Sequence, residues 1–204
     1  MKLLISGGKG SGIDFLKEEW KRCDTAILLS VDVKTKEVEI LFEYKITNEN
    51  KRNYSLNAGI VFKSFYRLNK NELLLTTNTE LIHFNFLSKR IIKKISHPLM
   101  NDVHHALIFN NNYYIANTGR DSVLILDYNG LFVDEIILSD KLHFDKTQLI
   151  HEKYGDIDYR LIETTKPHLV HPNHLTVLNK EVCVTRFFQK DIISLSGEKI
   201  INIE

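Results

Sequence analysis

The stretch from residue 104 to residue 138 reads as four short apolar runs, "HHALIFN", "NNYYIANTG", "DSVLILDYNG" and "LFVDEIIL", divided by Asn, Gly and Asp turns. Runs of this length, rich in Val, Ile, Leu, Tyr and Phe and lacking a helical period, are strands. The turns between them leave no chain for a crossover, so neighbours pair antiparallel. The Asn-Gly of "YNG" predicts a two-residue type I′ hairpin. The same pattern returns upstream in "FKSFYRLN", "KNELLLTTN", "TELIHFNF" and "LSKRIIKKI", and downstream in "NHLTVLN", "KEVCVTRF", "QKDIISLSG" and "EKIINIE". A repeated unit of this size stacks on its copies to bury its two faces.

Four antiparallel strands in a unit of this length make one blade of a propeller. The predicted fold class is therefore all-β, a β-propeller of four-stranded antiparallel blades with about four blades in this chain. Residues 1–204 form one domain: a partial blade at 1–45, blades at 58–97, 101–138 and 171–204, and an insertion at 139–170. The partial blade has strands in "KLLISGG", "TAILLSVDVKT" and "EVEILFEY" and lacks the innermost one. Between the first two, "DFLKEEW" offers a brief helical turn. Four blades, one of them short, leave the ring incomplete, with a strand edge and apolar faces that soluble proteins cover. Either a second chain covers them, as a homo-oligomer or a separately encoded propeller half, or residues 139–170 do.

Charge narrows the partners. Lys plus Arg number 27 against 26 Asp plus Glu, a net +1, so the basic field expected of a nucleic-acid or anionic-membrane binder is missing. No apolar stretch approaches the length of a membrane span, and the start "MKLLISGGKGSG" breaks into glycines too early for a signal peptide. Cys23 and Cys183 lie far apart, and Cys183 sits in the apolar run "EVCVTRF", which predicts free thiols and a cytoplasmic setting. "GGKGSG" is not a phosphate-binding loop, because Lys9 is followed by Gly10 rather than by Ser or Thr.

Histidines carry the functional expectation. "NDVHHALIF" at 101–109 and "VHPNHLTVL" at 170–178 each run from a histidine-rich knot into a strand. Superposing the two repeats sets His105 against His174, His104 against Asn173 and Asp102 against His171. The first strand of each blade lines the channel, so these groups converge on one mouth. Imidazoles gathered there can act as acid and base, with His104, His105 and His174 as catalytic candidates, or bind a divalent metal with Asp102, His105, His171 and His174 as ligands. Capping of loop backbone by the same histidines is the plain alternative. Arg186 could hold a carboxylate, sulfate or phosphate. Arg120 reads more simply as a turn ion pair with Asp121 or Asp127.

The phrase "NTGRDSVLILDYNG" resembles the NHL-repeat, strictosidine-synthase and gluconolactonase-like superfamily of β-propellers, and "HPNHLTVLNKEVCVTRFFQKDIISL" is similar to arylsulfotransferase-type propellers. The resemblance spans roughly residues 58–204. It implies a propeller and leaves the activity open, since such folds host lyases, lactonases, transferases and scaffolds. Two functions follow as expectations. One is an enzyme acting on a small polar or anionic molecule at the channel mouth, by lactone hydrolysis with a metal or by sulfuryl transfer through a neutral imidazole. The other is a non-catalytic module presenting that face to a protein or glycan.

Overall fold

In the computed structural model, which describes residues 1–10, 21–56, 58–138 and 157–202, the strands form four antiparallel sheets in chain order. The first holds β1 (Lys2–Gly10), β2 (Cys23–Asp32) and β3 (Val38–Tyr44), and the second β4 (Ser64–Arg67), β5 (Glu72–Thr76), β6 (Leu81–Asn85) and β7 (Arg90–Ile95). The third holds β8 (Val103–Phe109), β9 (Asn112–Asn117), β10 (Ser122–Asp127) and β11 (Phe132–Ile137). The fourth holds β12 (Pro172–Leu178), β13 (Glu181–Arg186), β14 (Asp191–Ser194) and β15 (Lys199–Asn202). Each sheet is a meander and each is a blade, so the chain is an all-β, four-bladed β-propeller arrangement. The innermost strands meet in sequence, β4 against β8 and β8 against β12.

Three apolar clusters fill the spaces between successive blades. Leu73, Leu75, Ile82 and Phe84 face Ala26, Leu28 and Phe62, while Leu74 and Leu81 face Val103, Ala106, Tyr113 and Leu124. Leu107, Ala116 and Val123 face Leu175, Val182 and Val184. Side chains alternate across a strand, so a middle strand buried on both faces must be apolar throughout. "ELLLT" and "SVLILD" are such runs, and this is why they do not alternate.

A recurring irregularity gives each strand its place. The pairing of third and fourth strands slips at His83/Phe84, at Ile125/Leu126 and at Ile192/Ile193. In the first blade the slip falls between β2 and β3, at Leu28/Leu29. These two strands therefore hold the third and fourth places and β1 the second. Among the described residues the innermost place of the first blade is unfilled, and no fourth cluster joins the last blade to the first. The outward face of that first blade leaves Leu3, Ile5, Val38 and Ile40 exposed.

Two expectations need correction. Of the Asn129-Gly130 pair only Gly130 has positive φ (89°), so this turn is not type I′; the Asp127 carboxylate instead accepts the N–H groups of Asn129 and Leu131 at 2.8 Å each. The two-residue turns with both φ positive are Asn110-Asn111 and Asn179-Lys180. Arg120, buried, pairs not with Asp121 or Asp127 but with Glu135, donating from Nε and Nη2 at 2.8 Å each, and its guanidinium lies 4.1 Å from the centre of the Tyr159 ring. The helical turn expected at "DFLKEEW" and most of the 139–170 insertion lie outside the described residues.

The "NTG" phrase has a steric reason. A Cβ on Gly119 would stand 2.1 Å from Asn101 Oδ1 and 2.7 Å from the Asn101 carbonyl oxygen, which accepts the Gly119 N–H. Gly119→Ala is expected to destabilise the fold by about 2 kcal/mol and lower the Tm by several degrees. A thermal melt that matches the wild type would show that Asn101 is free to move.

Candidate active site at the channel mouth

Three blades deliver one side chain each from the same repeat position, the residue just before the innermost strand: Lys63, Asp102 and His171. All three line a cavity of about 600 Å³ at one mouth of the channel. Its wall is completed by Arg22 and Cys23 of the first blade, by residues 58–61, by Asn78 and Thr79, by residues 162–166 and by Phe187. Asp102 and His171 share a left-handed backbone, with φ of 49° and 56°. For His171 that conformation is held by Asp121, whose carboxylate accepts the N–H groups of Leu169 (2.7 Å), Val170 (3.0 Å) and His171 (2.8 Å).

The histidines meet in two pairs, one on the cavity wall and one off it. His104 and His171 stand edge to face with ring centres 4.9 Å apart, and His104 Nδ1 is 2.7 Å from Asn173 Oδ1. His105 and His174 lie with ring centres 3.9 Å apart, off the cavity wall. Burial, with His174 beside it, pushes the His105 pKa down to about 3, and its Nδ1 accepts the Leu175 N–H at 3.2 Å. Desolvation also lowers His174.

Asp102 anchors the pair on the cavity wall. Burial would raise its pKa, but His104, with Nε2 at 3.6 Å, and the Lys63 ammonium more than reverse this and hold the carboxyl well below the usual range. A second imidazole reaches the same carboxylate: His168 Nε2 is 3.9 Å from Asp102 Oδ2, and His168 Nδ1 is 3.0 Å from His171 Nδ1.

The protons in this chain follow from its far end. Asn101 donates both amide hydrogens to backbone carbonyls, Tyr159 at 2.7 Å and Ile162 at 3.0 Å, which leaves its Oδ1 an acceptor. Thr165 donates its hydroxyl to that oxygen at 3.3 Å, so toward His168 Nε2, 3.2 Å away, the hydroxyl can only accept. His168 Nε2 therefore carries the hydrogen and its Nδ1 is bare. His171 Nδ1 must then be the donor between the two rings, and His171 Nε2 is left with a lone pair that no donor among the described residues shares, on a ring that lines the cavity. Burial foremost, then His104 and His168, lowers the His171 pKa to about 4, so the ring is neutral near pH 7. Burial likewise lowers His168.

The other expected site residues fall elsewhere. Arg186 forms two bonds with Asp191, Nε to Oδ1 at 2.8 Å and Nη2 to Oδ2 at 2.6 Å, and is off the cavity wall. Among the described residues no three His, Cys, Asp or Glu side chains are grouped to hold a metal ion. Of Asp102, His171, His105 and His174, the first two line the cavity and the last two do not, and Asp102 is paired with Lys63. Sequence reasoning missed Lys63, although it is the second-blade counterpart of Asp102, and it missed the supporting Asn101 and Thr165. Asn78 went unnoticed as well. It lines the cavity, and its Oδ1 is buried without a hydrogen-bond partner among the described residues.

No family model matches the chain, and no curated protein matches it. Among solved structures it is similar to a crystal structure of a protein of unknown function from Bacteroides caccae, with 14% identity and a TM-score of 0.51 over 98% of this chain and 58% of that one. That likeness shows the fold alone. The chain spans little more than half the length of this neighbour. No helix among the described residues is long and apolar enough to cross a membrane.

His105 and His171 titrate at about 3 and about 4 in the fold, against 6.5 ordinarily. The unfolded chain takes up protons that the folded one refuses, so stability present above 6.5 is lost as the pH falls from there toward 4. Denaturant melts from about pH 7.5 to about pH 5 are expected to show a falling midpoint, less steep in His105→Gln. A flat midpoint would contradict the neutral, buried state of these rings.

Proposed function

We propose that the chain is an enzyme that hydrolyses an ester or lactone bond in a small polar or anionic molecule held at the channel mouth, with His171 as general base. The observation that carries this reading is the hydrogen-bond chain from Asn101 through Thr165 and His168 that leaves His171 Nε2 bare. In the step envisaged, His171 Nε2 takes a proton from water as the water oxygen bonds to the carbonyl carbon. The positive charge is shared with His168 and faced by Asp102, and the Lys63 ammonium stabilises the oxyanion. Collapse of the tetrahedral species breaks the bond to the leaving oxygen, which receives the proton back from His171. Arg22, Lys63, Arg160 and Lys166 on the cavity wall outnumber Asp102 and Glu163, which suits an anionic substrate.

This reading keeps the resemblance to gluconolactonase-like and arylsulfotransferase-type propellers as part of the proposal, together with a cytoplasmic setting for the two free cysteines. A divalent ion is not required by the step: activity that survives chelation is expected, and loss with chelator followed by recovery with zinc or calcium would contradict it. A second reading, a module that binds a protein or glycan, is favoured by Phe187 and Phe188, which stand 60% and 55% exposed beside the cavity. Hydrolysis of 4-nitrophenyl acetate and γ-butyrolactone separates the two. His171→Asn is expected to lower kcat/KM by about a hundredfold or more with the melting temperature little changed. Equal rates in variant and wild type would favour the module.

The innermost place of the first blade, unfilled among the described residues, and the exposed apolar face of that blade lead us to propose also that a second chain, its own copy or another propeller half, completes the ring. In support of a second chain, the described part of the 139–170 insertion, residues 157–170, bonds across the mouth to Asn53, Ser96, Asn101 and Asp121. Light scattering is expected to give a mass above that of the 23.8 kDa chain. A monomer at that mass would contradict completion by a second copy.

A further inference from the structure

A carboxylate that the step above does not use, Glu80, is bonded to Tyr54 and follows Asn78 and Thr79, all three of which line the cavity. Glu80 is 1% exposed, in the turn between β5 and β6. It accepts three neutral donors: the hydroxyl of Tyr44 at 2.8 Å, the hydroxyl of Tyr54, and Asn53 Nδ2 at 2.8 Å. Among the described residues no cation pairs with it. A carboxylate buried without a counter-ion is costly, so the groups around it must be fixed in one arrangement. Burial and the nearby Glu80 push the pKa of both tyrosines up, which keeps them as donors.

The consequence passes through Asn53. With Nδ2 committed to Glu80, the Asn53 amide can present only its oxygen on the other side, and there it accepts Arg160 Nη1 at 2.7 Å. Arg160 Nη1 also donates to Ser96 at 3.1 Å, while Nε (2.8 Å) and Nη2 donate to Asp158. Four of the five guanidinium hydrogens are thereby committed, and one on Nη2 has no partner among the described residues. Arg160 lines the mouth cavity. A charge held this firmly with one donor left over is preorganised for an oxyanion.

We propose that Arg160 is an anion-binding point of the mouth cavity, for a carboxylate, sulfate or phosphate group of the ligand, and that Glu80 is its positioning residue, acting through the orientation of Asn53. The inference rests on the reading that this cavity is where substrate binds, but not on hydrolysis. Remove the Glu80 charge and the Asn53 amide can turn its NH2 toward Arg160, so that the fork loses its register.

Inorganic sulfate is the probe, titrated into the intact chain by calorimetry and followed on the Arg160 Nε resonance in arginine-labelled protein. Sulfate is expected to bind and to shift that resonance, and Arg160→Lys, which keeps the charge and loses the fork, to weaken binding about tenfold. Glu80→Gln and Asn53→Asp should each weaken it several-fold. The double variant should recover most of the affinity, because the amide and carboxylate have exchanged places and the chain of donors is restored. Absence of binding, or an unmoved Arg160 resonance in the wild type, would overturn the anion point. An unaffected Glu80→Gln variant, or a double variant no better than the weaker single one, would overturn the positioning role. Sulfate binding without esterase activity would overturn only the hydrolytic reading, and esterase activity without sulfate binding only this inference.

Discussion

The side-chain amide of Asn101 donates both of its hydrogens to the carbonyls of Tyr159 and Ile162, and the chemistry of the mouth depends on that commitment. One amide oxygen is thereby made an acceptor, and every proton from Thr165 to His171 is fixed in turn. Asn101 is itself held on two sides: its backbone N–H donates to Asn117 Oδ1 at 2.9 Å, and its carbonyl accepts Gly119 at 3.0 Å. The "NTG" phrase of the repeat is therefore more than a turn. Its Asn and its Gly clamp the residue that decides which nitrogen of His171 is bare.

The scaffold and the site use different physics. Apolar clusters between blades give rigidity without direction, which is enough to hold four meanders around a channel. Direction comes from the polar rim, where Asp121 gathers three successive N–H groups and turns the chain at His171 into a left-handed backbone. The segment at 157–166 is bound to this rim through Asn101, Asn53 and Ser96, so the wall of the cavity is joined to the blades by directed hydrogen bonds as well as by the buried Tyr159 ring.

The blades were legible because a strand buried on both faces must be apolar throughout, and "ELLLT" and "SVLILD" could be little else. That the first blade has three strands among the described residues, where the others have four, could likewise be counted. The contacts of His104 with Asn173 and of His105 with His174 are between residues that matching one repeat to the next sets side by side, which is a statement about register and needs no side-chain detail. What a linear reading could not supply was the choice of partner across strands. Arg120 finds Glu135, a residue on the neighbouring strand, where local spacing suggested Asp121 or Asp127. Lys63 was available by the same matching that found Asp102, but a lysine in place of an aspartate or histidine did not look like the same position. Glu80 and Asn101 give no sequence signal, because their roles depend on carbonyls, tyrosines and an amide that are distant in the chain.

The central claim is the protonation of one ring. Nitrogen-15 shifts of the histidine side chains, measured near pH 7 and assigned by comparison with His171→Asn, report directly whether each ring nitrogen carries a hydrogen. The account predicts a neutral His171 with hydrogen on Nδ1 and a bare Nε2, beside a neutral His168 with hydrogen on Nε2. A His171 that carries its hydrogen on Nε2, or that is doubly protonated at that pH, would contradict it.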